Sequence, residues 1–350
     1  MRLSLLAAAA ALALTATARA EPAGPADVGP WVRPQQRVEV APKRALNLVC
    51  MGSGERTVLF DAGGSDWSVV WALVQPEVAR RARACAYDRA GLGHSDSGPA
   101  PRSPVAIVED LHALVKAAGL QRPLVLVGHS LGGFNVKLYA ALYPEDVAGL
   151  VLIDPSEERS WPRTRSWAIR RYGDRLAARS ELLDQRFIGF LAQRYRECAE
   201  AAGTRGLDPD SPGYARCSDP VRPQLGPEVA AMRRKLQVSP AYQQAQASEI
   251  GSSVYADERS DQVYERLFRR HAFGSRPLVV LTHEEERSQE PLEELGREQG
   301  LRLHAETARL SRRGRHVTVA GSGHYIQLDK PEVVIAAIRE VLDELERPAR

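Results

Sequence analysis

Short apolar runs alternate along the chain with segments of helical spacing. The strand-like runs are "RVEV", "LNLVC", "TVLFDAG", "ACAYDRAG", "PLVLVGHS", "GLVLIDPS", "PLVVLT" and "HVTVAGSG". They are rich in Val, Leu and Ala, and most break off at small or polar residues, as strands do where they meet turns. Between the later runs lie helical segments such as "VAIVEDLHALVKAAGL", apolar on one face. That alternation predicts an α/β fold, a mostly parallel eight-stranded sheet flanked by helices on both faces. In such sheets functional groups gather at the carboxyl ends of the strands.

The rhythm breaks between Ser156 and about Ser275. "RTRSWAIRRYGDRLAARSELLDQRFIGFLAQRYRECAEAA" and the stretch from "GPEVAAMRRKLQ" to "RLFRRHAF" read as helical throughout and dense in arginine. We expect residues 156–275 to form a helical cap inserted before the last two strands, with 21–155 and 276–350 as the core. Glu21 to Pro34, rich in Pro, Gly and Ala, reads as a loose lead into the first strand.

The sharpest local signal is "PLVLVGHSLGGFNVKLYA". A buried strand from Pro123 to Val127 passes into a helix through only Gly128, His129, Ser130, Leu131, Gly132 and Gly133. So short a connection demands a tight turn, and glycines at 128 and 132 let the backbones approach. Ser130 then stands at the apex with a helix N-terminus behind it, the arrangement of a nucleophile elbow. A serine hydroxyl is a weak nucleophile until a base takes its proton, so a histidine is required elsewhere in the chain. His324 follows the run "HVTVAGSG" on a Gly-Ser-Gly-His-Tyr loop at a strand's carboxyl end and is the candidate base. His129 is read as supporting the turn and His94 as lining the pocket or packing its loop. His112, His271, His283, His304 and His316 are read as ordinary surface or helix positions.

Composition narrows the partners. Arg2, the apolar run Leu3 to Leu14 and the small-residue site Ala18-Arg19-Ala20 predict a signal peptide over residues 1–20, and hence export to the periplasm or medium. Losing Arg2 and Arg19 with it takes the formal net charge from +3 to +1, which leaves no electrostatic footprint for nucleic acid. No further run is long enough to span a membrane. With no P-loop, no Gly-x-Gly-x-x-Gly opening a helix and no metal-ligand spacing, the sequence implies no cofactor and no metal. An exported chain with Cys50, Cys85, Cys198 and Cys217 has room for two disulfides. Cys198 with Cys217, flanking a Gly- and Pro-rich loop, is the expected pair. Cys50 and Cys85 pair only if their strands are neighbours.

From about Arg37 to Leu345, outside the helical insertion, the chain resembles the α/β-hydrolase fold superfamily, and within it the lidded serine-esterase-like members. "YDRAGLGHSD", "LVGHSLGG", "AGLVLIDPS" and "GSGHYIQLDKPEVV" carry the likeness. It implies a Ser-His-acid triad with Ser130 as nucleophile and His324 as base. The acid stays open. Asp154 ends the strand after the elbow, while Glu286, beside Glu284 and Glu285, falls where the family's acid usually stands. The oxyanion donors implied are the backbone N–H groups of Leu131 and of Gly64, in "DAGGSDW". Ala62 there replaces the histidine that relatives often carry. The function expected is cleavage of a carboxylic ester of a small or medium substrate through an acyl-enzyme. Two rivals are an aminopeptidase of the proline-iminopeptidase kind, with Glu181, Asp184 or Glu197 of the cap binding an amine, and a binding protein that has kept the fold. Serine at position 130 argues against the aspartate nucleophile of related epoxide hydrolysis.

Overall fold

Valine and leucine in the middle strands face both ways, so these strands must be covered on both sides. A computed structural model describes residues 27–256, 261–284 and 286–347; the segment read as a signal peptide and Glu285 lie outside the described residues. The strands are β1 (Gln36–Ala41), β2 (Arg44–Met51), β3 (Thr57–Asp61), β4 (Arg83–Tyr87), β5 (Leu124–His129), β6 (Val147–Ile153), β7 (Leu278–Glu284) and β8 (Gly314–Ala320). They form one sheet in the order β1-β2-β4-β3-β5-β6-β7-β8. The first two pairings, β1 with β2 and β2 with β4, are antiparallel, and every other neighbour pair is parallel.

The main helices are α1 (Pro104–Ala117), α2 (Leu131–Leu142), α3 (Ser160–Tyr172), α4 (Asp174–Thr204), α5 (Gly226–Gln237), α6 (Pro240–Gly251), α7 (Asp261–Leu267), α8 (Pro291–Ala308) and α9 (Pro331–Glu346). Leu126, Leu150, Leu152 and Val280 pack on one face with Val108, Leu111 and Leu114 of α1. Val125, Val127, Val151 and Ile153 pack on the other with Val334, Ile338 and Val341 of α9. Each side chain buried in this way contributes about 1.5–3 kcal/mol. The period of two along β5 and β6 thus sends alternate residues to opposite helix layers. Between β6 and β7 every regular element among the described residues is helical, from α3 to α7. Trp67 and Trp71 are fully buried core residues.

Two disulfides are formed. Cys50 and Cys85 are direct cross-strand partners in the β2–β4 pair. Cys198 on α4 joins Cys217, with 5.5 Å between Cα atoms. These bridges, and the absence among the described residues of any helix long and apolar enough to cross a membrane, are compatible with an exported protein.

Candidate active site

Ser130 follows β5 directly and opens into α2 with φ 51° and ψ −120°, a backbone state non-glycine residues rarely hold. The surroundings enforce it. Its N–H donates to the Ile153 carbonyl at 3.0 Å, and its carbonyl accepts from Ser156 N–H at 2.9 Å. A Cβ on Gly128 would come within 2.4 Å of the Gly132 carbonyl oxygen, and one on Gly132 within 2.3 Å of the Ala62 carbonyl oxygen. Backbone contact therefore requires both glycines, Gly128 against the turn itself and Gly132 against the end of β3 and the residue after it. The helix begins at Leu131, immediately after the serine, rather than at Phe134 as its apolar spacing suggests.

Ser130 lines a cavity of about 680 Å³ together with Asp154, Thr282, His283 and His324, and α8 supplies a wall through Arg297, Leu301 and His304. Asp154 comes directly after β6, is buried, and also holds a positive φ of 45°. Its Oδ2 accepts from His324 Nδ1 at 2.5 Å and from His283 Nδ1 at 2.7 Å, while Oδ1 accepts from the His283 N–H at 3.3 Å. Burial opposes ionisation of this carboxyl. The hydrogen bonds from His283 and His324 outweigh it and hold Asp154 well below the usual carboxylate range. A carboxylate can only accept, so Nδ1 of His324 carries the proton, and Nε2 of the neutral ring keeps its lone pair. The His324 ring is nearly half exposed, at 44%.

The other predicted residues are distributed as follows. Leu131 opens α2. Gly64 stands beside it in the loop after β3, where an added Cβ would lie 3.9 Å from Leu131 Cδ2. Glu284 and Glu286 line the same cavity and make no hydrogen bond to His324, and Glu285 lies outside the described residues. Glu181, Asp184 and Glu197 of the insertion do not line the cavity. Glu181 pairs with Arg165, Asp184 accepts from Trp161 Nε1, and Glu197 pairs with Arg216. His129 is buried and donates Nε2–H to the His324 carbonyl at 2.9 Å, so it braces the histidine loop as well as the turn. Burial, then the nearby His324, pushes its pKa down to about 3 and keeps it neutral.

Three features escaped the sequence. His283 is no ordinary surface position: it ends β7 inside the cavity, on the same carboxylate oxygen as His324. The three groups Asp154, His283 and His324 offer ligand atoms within 4.8 Å of one another, a juxtaposition no linear spacing displays. The signal available was its position at a strand's carboxyl end. Second, His304 and His316 meet at Thr282, whose Oγ1 lies 2.7 Å from His304 Nδ1 and 2.8 Å from His316 Nε2. His304 Nε2 donates to the Pro155 carbonyl next to Asp154.

Third, the insertion reaches into the core through buried ion pairs. Arg89 donates to the carbonyls of Ala62 and Gly63, to Asp61, and to Glu249 of α6, clamping the loop that carries Gly64. Asp66, just past that loop, meets Arg233 of α5 at 2.6 Å and Arg222 at 3.3 Å. Both arginines also hold Asp219, and Arg222 stacks 3.7 Å over the ring of Tyr325, the neighbour of His324. Asp219 lies only 3 and 14 residues from Arg222 and Arg233, but the pairs that reach the core join residues 28 to 167 apart, so no local pattern announces them.

The fold has parallels among known proteins. The model of one family, the alpha/beta hydrolase fold, matches residues 56–331. The chain is 32% identical over 106 residues to a (lyso)-N-acylphosphatidylethanolamine lipase of Mus musculus, a match covering 29% of this chain and 31% of that protein. It spans between 15% and 42% of the length of eight curated relatives that it matches. Among solved structures it is similar to a thermophilic esterase from Thermogutta terrifontis, with TM-score 0.55 and 22% identity over 89% of this chain and all of that one. It is also similar to a meta-cleavage product hydrolase from Pseudomonas fluorescens, with TM-score 0.54 and 17% identity over 89% of this chain and 98% of that one.

Proposed function

The chain belongs to the alpha/beta hydrolase fold family, and on that premise we propose that it is a serine hydrolase cleaving a carboxylic ester of a small or medium substrate. Residues 156–275 act as a cap over a core of 21–155 and 276–350. Ser130 attacks the ester carbonyl while His324 Nε2 takes its proton, then returns it to the departing alcohol. Water attacks the acyl-enzyme by the same route. Asp154 fixes the imidazole tautomer and stabilises the imidazolium. The N–H groups of Leu131 and Gly64 receive the oxyanion, each worth about 10²–10³ in turnover. The observation that carries this reading is the His324–Asp154 hydrogen bond at a cavity that Ser130 also lines. A cavity of about 680 Å³ suits a small-molecule substrate.

Cleavage of an aminoacyl amide is the second reading, and one observation favours it. Glu284, Glu286 and Glu293 line the cavity and could face a substrate ammonium. The cap carboxylates first weighed for that role are engaged elsewhere.

Labelling with a fluorophosphonate probe tests the proposal. Wild type should form an adduct, Ser130→Ala none, Asp154→Asn far less, and Glu286→Gln nearly as much as wild type. A folded wild type that takes no label would overturn the hydrolase reading in favour of a ligand-binding protein. A labelled enzyme is then offered matched esters and aminoacyl amides, and turnover of the amides alone would select the second reading.

A further inference from the structure

Helix α4 turns a large apolar surface to solvent. Leu182, Phe187 and Phe190 are about 60% exposed and Leu183 is 44% exposed, on a chain whose other aromatic side chains are mostly packed. Soluble proteins rarely leave such residues contiguous without a use for them. At 3.6 residues per turn these four fall in a sector of about 140°, and Arg175, Arg179 and Arg186 fall in the same sector. All three arginines are exposed and make no ion pair among the described residues. The acidic residues along this stretch face away, Glu181 onto Arg165 and Asp184 onto Trp161. The opposite face is anchored through Ala177, which packs with Trp161, Ala168 and Leu295 of α8, the helix that walls the cavity.

We propose that this face of α4 docks the protein on a membrane surface bearing anionic phospholipid. Leucine and phenylalanine would enter the boundary between headgroups and acyl chains, and the arginines would lie at headgroup level with their stems along the apolar surface. The charge selects the occupant. A second copy of the chain meeting this face by two-fold symmetry would set the arginine triplet against itself, whereas anionic headgroups neutralise it.

The test is co-sedimentation of the purified protein with vesicles of phosphatidylglycerol and phosphatidylcholine, or of phosphatidylcholine alone. We expect binding to the anionic vesicles, and at least about tenfold weaker binding to neutral vesicles or at raised salt. Phe187→Ser with Phe190→Ser should weaken binding to anionic vesicles at least about tenfold, and so should Arg175→Gln, Arg179→Gln and Arg186→Gln combined. Near-UV circular dichroism checks that both variants keep the fold, and all substituted side chains are exposed. Absence of binding to anionic vesicles, or binding that neither folded variant weakens, overturns the proposal. So does a concentration-dependent dimer in sedimentation velocity that the phenylalanine variant abolishes, which would give the face to a second copy.

Discussion

Asp154 and Asp66 are both buried carboxylates, each set just after the end of a central strand, and each is linked to the His324 loop. They differ in what donates to them. Asp154 receives two imidazoles, His283 and His324, and Asp66 receives two guanidiniums, Arg222 and Arg233. An imidazole gains and loses its second proton near neutral pH, and a guanidinium does not. The first arrangement can therefore take part in proton transfer, with Asp154 biasing which nitrogen of His324 holds the proton. The second can only hold, and it holds the insertion to the loop beyond Gly64 and, through Arg222 on Tyr325, to the histidine loop. Burial is the same physical cost in both places; the donor decides whether it serves chemistry or position.

Asp154→Asn attacks the chemical side and should have the largest effect. The amide keeps the size of the acid but brings its own donors, so the two Nδ1–H groups no longer meet an ionised acceptor. We expect kcat to fall about 10³–10⁴-fold with little change in KM, measured on whichever ester the labelled enzyme turns over. A loss below tenfold would reassign the acid to a glutamate after β7. Arg233→Met attacks the holding side. It leaves Asp66 and Asp219, both shielded from solvent, sharing one guanidinium, and breaking such a set by one partner costs about 3–5 kcal/mol. Urea unfolding should report that loss, while kcat per folded molecule changes far less than in Asp154→Asn. A collapse of kcat at unchanged stability would erase the distinction between the two regions.

The two regions were unequally legible in the sequence. The strand-turn-helix around Ser130 is local, so its glycines and apolar flanks could be read in order, and the same holds for His324 after a terminal strand. The eight strands and the helical stretch between the sixth and seventh announce themselves by periodicity alone. Asp154 could be named but not chosen over Glu286, because the choice depends on how two strand ends approach in space. His283 was discounted for lack of a motif, although its place at the end of "PLVVLT" was the one clue. The Asp66–Arg222–Arg233–Asp219 cluster was invisible. Arginine is so abundant in the insertion that two buried residues look no different from their solvated neighbours. Phe187 carries no sequence signal that sets it apart from packed aromatics, yet it is among the most exposed apolar side chains of the described residues.

The smallest expected effect bears on how static the arginine-held region is. Asp66 is held below the usual carboxylate range, burial being outweighed by Arg233 and Arg222, whereas burial and then the neighbouring Asp66 push Asp219 up to about 7. In the unfolded chain an aspartate titrates near 3.9. Between these values the folded protein binds a proton that the unfolded chain has lost, so Asp219 favours the fold most at low pH. That contribution declines as pH rises and is gone above about 7. Asp219→Asn is neutral throughout and lacks this slope. The stability of wild type minus that of Asp219→Asn should therefore fall by about 2–3 kcal/mol between pH 5 and pH 8, measured by paired urea unfolding. A difference that stays flat across that range would mean that Asp219 is ionised throughout. The cluster would then be two carboxylates permanently matched to two guanidiniums, and the contrast with Asp154 would be complete.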